Sequence, residues 1–200
     1  MLVVGVCVLS FLAGSVPFSN LVARRRRGVD LRETGSGTVS GTSLYRVAGF
    51  KALAFAGILD VAKGAVGPLL LWGHPIAAGI AGGLAVAGHN WSPFLRGHGG
   101  RGLAPALGSL LVNAWPGAVL LLAVLVAGRA FRQTGLGAFL GEVLLTPMLV
   151  ITNGTSGAVA GGAIAAPMLV KRVVGNGRPP ERTGRAYLRR LLYDHDLEPT

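Results

Sequence analysis

Long apolar runs separated by short polar segments dominate the chain from its first residue to about Val170. Met1 to Ala23 is nearly all apolar, and four arginines, Arg24 to Arg27, follow it. Basic residues after such a run predict a retained first span whose C-terminal end faces the cytoplasm, not a cleaved leader. Pro17 and Ser19 near that end predict irregular last turns. Residues 28–49 are rich in Gly, Ser and Thr and read as a loop. A second span is expected from Phe50 to Trp72 and a third from Ile76 to about Leu95, with a tight turn at His74-Pro75. Arg96 to Gly102 (RGHGGRG) forms another basic, glycine-rich loop.

Beyond Gly102 the hydrophobic pattern alone is ambiguous, because Leu103 to Gly128 is long enough for one helix. Asn113-Ala-Trp-Pro116-Gly117 breaks it in the middle. Charge supports the break. With one span, Arg129, Arg132 and the basic tail would all lie outside. With a turn, Leu103–Val112 and Gly117–Ala127 become two short segments, each below the roughly 20 residues of a straight span. Such segments are expected to be tilted or re-entrant and shielded by protein. Leu136–Ile151 then leads out, Asn153-Gly-Thr-Ser turns, and Gly157–Val170 returns. The expected fold is an all-α integral membrane protein of about seven membrane segments, N-terminus outside and C-terminus cytoplasmic. Residues 1–171 form the membrane domain and 172–200 a basic tail, with a helix near Arg185 to Leu192.

Composition agrees with this picture. Of 200 residues, 51% are hydrophobic and only 14% charged, too few charges to cover a soluble domain of this size. The 32 glycines suit close helix packing in lipid. A net charge of +11 fits cytoplasmic loops lying beside anionic lipid rather than nucleic acid binding, and it attracts phosphorylated substrates. Cys7 is the single cysteine, so no disulfide frame or thiolate metal site arises.

The topology gathers three polar segments, 24–46, 96–102 and the tail, on one side. Gly35-Ser36-Gly37-Thr38-Val39-Ser40-Gly41-Thr42-Ser43 ahead of Arg46 alternates glycines with hydroxyls, the composition of a backbone anion nest or of a plain flexible loop. Gly99-Gly100-Arg101-Gly102 directly precedes an apolar helix, so amides, helix dipole and the Arg101 guanidinium point to phosphate. Asp60 and Lys63 stand three apart on one helical face inside a span, as a neutralising pair or part of a site. His89-Asn90 closes the third span, where His89 is a candidate base or a structural residue. No metal motif or nucleophile elbow occurs. Chemistry here must rest on positioning and charge.

In order along the chain, Gly14-Ser-Val-Pro17-Phe, Gly28-Val-Asp30-Leu-Arg, Gly35-Ser-Gly37, Asp60-Val-Ala-Lys63-Gly and Gly88-His-Asn-Trp-Ser-Pro93-Phe-Leu followed by Gly99-Gly-Arg-Gly102 resemble the acyl-phosphate-dependent glycerol-3-phosphate acyltransferases of bacteria, the PlsY family. The resemblance covers roughly residues 13 to 108. It implies seven membrane segments in the bacterial inner membrane, no metal or other cofactor, and acyl-phosphate and glycerol-3-phosphate as substrates. The implied product is lysophosphatidic acid. It also implies catalytic roles for Ser36, Arg46, His89 and Arg101. Gly35, Gly37, Thr38, Ser40, Thr42, Ser43, His98, Gly99, Gly100 and Gly102 are implied as phosphate-binding, with Asp60 and Lys63 supporting. Thr38 and Ser43 replace the family's usual Asn, Ser40-Gly41 its Gly-Ala, Pro105 its Thr, and His98 and Arg101 its Lys. A third family motif, His and Asn just before an Arg, falls near Ala166 and Leu169 ahead of Arg172, and neither residue is present. A noncatalytic relative binding a phosphorylated lipid precursor is the first rival. A transporter ranks behind it, since no internal repeat occurs and only Asp60 and Lys63 read as polar residues within spans.

Overall fold

The structure, a computed structural model, describes residues 1–35, 37–177 and 183–194. All regular elements among them are helical. The first apolar run forms α1 (Leu2–Ser15) and α2 (Phe18–Arg27), joined through Val16 and Pro17 in non-helical conformations. The expected irregularity is present, but the four arginines lie inside α2 instead of starting a loop. Next, α3 (Gly41–Leu70) is broken at Gly49, whose φ of 78° only glycine adopts easily. Residues 41–48, expected as loop, are therefore helical, with Ser40 capping them by accepting from the Ser43 amide. Then α4 (Pro75–Asn90) stops five residues short of the expected Leu95. Pro93 restricts Ser92 to extended backbone, and a 3-10 turn follows.

The break after Gly102 is where charge placed it. Helix α5 (Leu103–Asn113) ends at Ala114, and α6 (Trp115–Ala130) starts with Pro116 in its first turn, where a missing N–H costs nothing. The long α7 (Thr134–Val174) is bent at Gly154, with φ 59° and ψ −137°. Its halves fold back on each other: a Cβ on Gly161 would lie 2.7 Å from the Thr146 Cα, and one on Gly157 would overlap the Leu149 carbonyl. Helix α8 (Gly184–Tyr193) matches the expected tail helix. Three stretches, Leu2–Arg27, Gly41–Leu70 and Thr134–Val174, are long and apolar enough to cross a membrane.

The packing is that of a protein facing lipid. Large side chains such as Phe55, Ile58, Val126 and Ile151 point outward, while Ala52, Ala56, Ala81, Ala85, Ala106 and Ala118 are buried. Lipid is as apolar as the interior, so helix association depends on close van der Waals fit. Glycines set that fit. Gly14 lies against the Ala85 carbonyl, Gly64 against Pro105 and Gly108 against Val61, so a Cβ at any of the three would overlap backbone. These contacts lock α1 onto α4 and α3 onto α5. They also bring the first turn of α5 beside Gly64, one residue from Lys63.

Candidate functional site

The site is built in two tiers at one end of the bundle. The deeper tier follows from the break at Val16 and Pro17. A helix end leaves carbonyls without intrahelical partners. Here the Lys63 ammonium donates to the Val16 carbonyl at 2.6 Å, and the Ser92 hydroxyl donates to that of Ser15 at 2.6 Å. Lys63 also pairs with Asp60 at 2.7 Å, both side chains being about 5% exposed. Asp60 accepts from the Ser19 hydroxyl, and the His89 Nδ1 lies 3.8 Å from its Oδ1. The spacing of three that placed Asp60 and Lys63 on one face thus delivers a buried pair. Phe18 covers it, 5.6 Å from the ammonium to its ring centre. Ser15, Val39, Leu95, Gly99 and Gly100 line the same pocket.

The upper tier is where the polar segments meet. In the first loop, Gly35 and Gly37 take positive φ values of 54° and 66°. Ser43 donates its hydroxyl to the Thr38 carbonyl, closing the turn before α3. The loop is pinned from below by Asn20, which accepts from the Leu31 amide. Asp30 clasps it from the side, accepting three hydrogen bonds from the Arg32 guanidinium and pairing with Arg24 at 3.2 Å. Hydrogen bonds from Arg32 hold the Asp30 carboxyl well below the usual carboxylate range. The clasp therefore persists into strongly acid solution and weakens only as pH falls through that depressed value. Ser36 lies outside the described residues.

The second loop rests on the end of α4. A Cβ on Gly99 would overlap the His89 and Asn90 carbonyls, and one on Gly100 would overlap the His89 ring. Gly100 donates its amide to the His89 carbonyl at 3.1 Å, and the Val39 amide donates to the Gly99 carbonyl, joining the two loops directly. Gly102, with φ 80°, starts α5. Glycine is required here for close approach, which is why two basic loops of this composition can share one floor.

The sequence-derived residues are not all arranged as expected. Gly99 and Gly100 give their amides to protein acceptors. The Arg101 guanidinium reaches the Lys171 carbonyl at 2.6 Å and Asp194 of the tail at 2.6 Å. Arg46 and Thr42 are exposed on the first turns of α3. The His98 ring bonds the local Leu95 carbonyl.

Three features were missed. Asn176 receives the Gly99 amide at 3.1 Å and donates to the Gly99 and Gly37 carbonyls. Lys171 is buried, its ammonium 5.3 Å from the Trp91 ring centre. Beside it runs a groove of about 450 Å³ lined by Trp91, Arg96, His98, Lys171, Asn176 and Tyr187. Glu142 and Arg172 form a second buried ion pair at 2.7 Å. Glu142, an acid inside an apolar run, was the readable signal for that pair. Asn176, one polar residue in a polar tail, gave none.

Residues 4–176 match the family described as glycerol-3-phosphate acyltransferase. A glycerol-3-phosphate acyltransferase of Jannaschia sp. is 36% identical over 173 residues, covering 84% of each chain. Glycerol-3-phosphate acyltransferase 5 of Dehalococcoides mccartyi is 39% identical over 145 residues, 69% of this chain and 60% of that protein. A second Dehalococcoides mccartyi relative is likewise matched over 61% of its length, so the chain spans about three fifths of these two proteins. The fold is that of the crystal structure of PlsY (YgiH), an integral membrane glycerol 3-phosphate acyltransferase in its glycerol 3-phosphate form. The TM-score is 0.80 at 24% identity, covering 98% of this chain and 96% of that one. The chain belongs to the glycerol-3-phosphate acyltransferase family.

Proposed function

We propose that this protein transfers a fatty acyl group from acyl-phosphate to the 1-hydroxyl of glycerol-3-phosphate, forming lysophosphatidic acid and inorganic phosphate. The observation that carries the reading is the junction of the two glycine-rich loops, Val39 on Gly99, over the buried Asp60 and Lys63 and the partly exposed His89. Both substrates carry phosphate, which gives two basic loops a task. The substrate hydroxyl oxygen attacks the acyl carbonyl carbon, the bond from that carbon to the phosphate oxygen breaks, and the hydroxyl proton ends on the departing phosphate. An acyl phosphate already holds a good leaving group, so no acyl-enzyme step is needed.

In this reading Arg46 and the hydroxyls of Ser36, Ser40, Thr42 and Ser43 take one phosphate at the mouth of the first loop. Arg101 serves the other phosphate from the start of α5, with His98 nearby. Gly35, Gly37, Thr38, Gly99, Gly100 and Gly102 shape the backbone that allows this approach. Asp60 and Lys63 hold the floor beneath. Arg101→Ala is expected to lower kcat/KM by about 10²-fold, the scale for losing one charge-stabilising donor. Expressed in bacteria depleted of their own acyl-phosphate-dependent enzyme, the wild-type chain restores growth and the variant does not. Equal rescue by Arg101→Ala would remove Arg101 from the machinery.

The topology completes the proposal. Helices α1–α2, the second part of α3, α4, α5, α6 and the two halves of α7 make seven membrane segments in the bacterial inner membrane. The N-terminus is outside. The cytoplasmic face holds both loops and the basic tail, 172–200, attached to the membrane domain 1–171, where anionic lipids are the contacts and nucleic acid is not. In a Cys7→Ser background, cysteine introduced at His74 should label from outside the cell and cysteine at Arg132 only after permeabilisation. Labelling of both from one side would overturn this topology.

A further inference from the structure

Among the described residues, Asn176 is the side chain that bonds to both glycine-rich loops at once. It stands just past Gly175, which ends α7 with φ 66° and donates its amide to the Lys171 carbonyl. That left-handed turn aims the Asn176 amide group back over the site. The Oδ1 accepts from the Gly99 amide at 3.1 Å, and Nδ2 donates to the Gly99 carbonyl at 2.9 Å and the Gly37 carbonyl at 3.3 Å. An asparagine amide has two donors and one acceptor oxygen, and all three roles are used here. Its bonds fall on the residue after Ser36 and on the residue before Gly100.

We propose that Asn176 is a positioning residue that fixes the two phosphate loops in register, so that the end of α7 sets the distance between the two phosphate sites. This rests on the acyltransferase reading for its catalytic consequence, but the register itself is a property of the fold. Among the described residues, the backbone hydrogen bond from Val39 to Gly99 joins the loops at one point. Asn176 adds a second point on Gly37, two residues along the first loop. Transition-state stabilisation by groups on two separate loops depends on their spacing, and a displacement near 1 Å costs about 10²-fold in rate.

Two substitutions separate this from a merely local role. Asn176→Ala removes all three bonds. Asn176→Asp keeps the acceptor for the Gly99 amide, loses both donations, and sets a carboxylate oxygen against two carbonyls. Each is expected to lower kcat by about 10- to 100-fold with KM for glycerol-3-phosphate changed less than about threefold. Hydrogen exchange, measured on the full-length protein in detergent, should speed up at the Val39 amide in both variants, and at the Gly99 amide in Asn176→Ala, which alone removes its acceptor. Exchange needs no turnover, so an inactive wild-type enzyme would defeat the acyltransferase reading while leaving the register claim to be decided by exchange. Wild-type kcat in Asn176→Asp, or unchanged exchange at Val39 in Asn176→Ala, overturns the proposal.

Discussion

Asp60→Ala is expected to destabilise the protein by about 3–5 kcal/mol, because it strands a buried ammonium. Lys63 would keep the Val16 carbonyl and the Phe18 ring but lose its counter-charge at 2.7 Å. Ser19 would lose its acceptor on α3, loosening α2 from the same floor. The apparent melting temperature in detergent should fall by on the order of 10 °C. The double variant Asp60→Ala with Lys63→Met removes both charges and should regain most of that loss, since a buried pair as a whole contributes little net stability. Turnover in the double variant should stay low, because the floor beneath Gly99 and Gly100 has been rebuilt without its polar groups. A drop below about 2 °C in the single variant would show that the pair is not held as described.

Gly100→Ala should have the opposite profile, with a large effect on rate and a small one on stability. An added Cβ would overlap the His89 ring and come within 2.8 Å of the Val39 carbonyl. Relief requires moving His89 away from Asp60 or lifting one loop from the other. Either change alters the spacing of the groups proposed to bind phosphate, and about a 10²-fold loss of turnover is expected. Residues 96–102 contribute no side chain to the apolar clusters, although Val39 and Leu95 beside them do, so the melting temperature should move by only a few degrees. Gly57→Ala is the matched control: its added methyl meets nothing within 4 Å and the backbone there is ordinary helix. Turnover should be unchanged in it.

Much of this arrangement was legible in the chain because lipid imposes simple constraints. Apolar length, arginine placement and prolines located the helices, the break at Ala114 and the bend at Gly154. Glycine clusters beside arginine marked both loops. What periodicity does not reveal is how polar ends pair. Arg101 is an arginine at a helix start in the sequence, and nothing local says that Asp194, 93 positions on, faces it. Arg172 was identified from the family pattern, whereas its partner Glu142 comes from the opposite half of the α7 hairpin. Asn176 lacks even a pattern, since its importance lies in a turn geometry set by Gly175. The helical residues 41–48 were missed because Gly, Thr and Ser composition suggests a loop, while the Ser40 cap and packing against Leu53 decide otherwise.

The decisive assay supplies purified wild-type protein with acyl-phosphate and glycerol-3-phosphate and measures lysophosphatidic acid and inorganic phosphate together. The two products should be released in equal amounts, at a rate that chelators leave unchanged and that Gly100→Ala cuts by about 10²-fold. Folded protein that binds glycerol-3-phosphate but forms no lysophosphatidic acid would contradict the acyltransferase reading, and would mark a phosphate-binding relative that has lost the reaction.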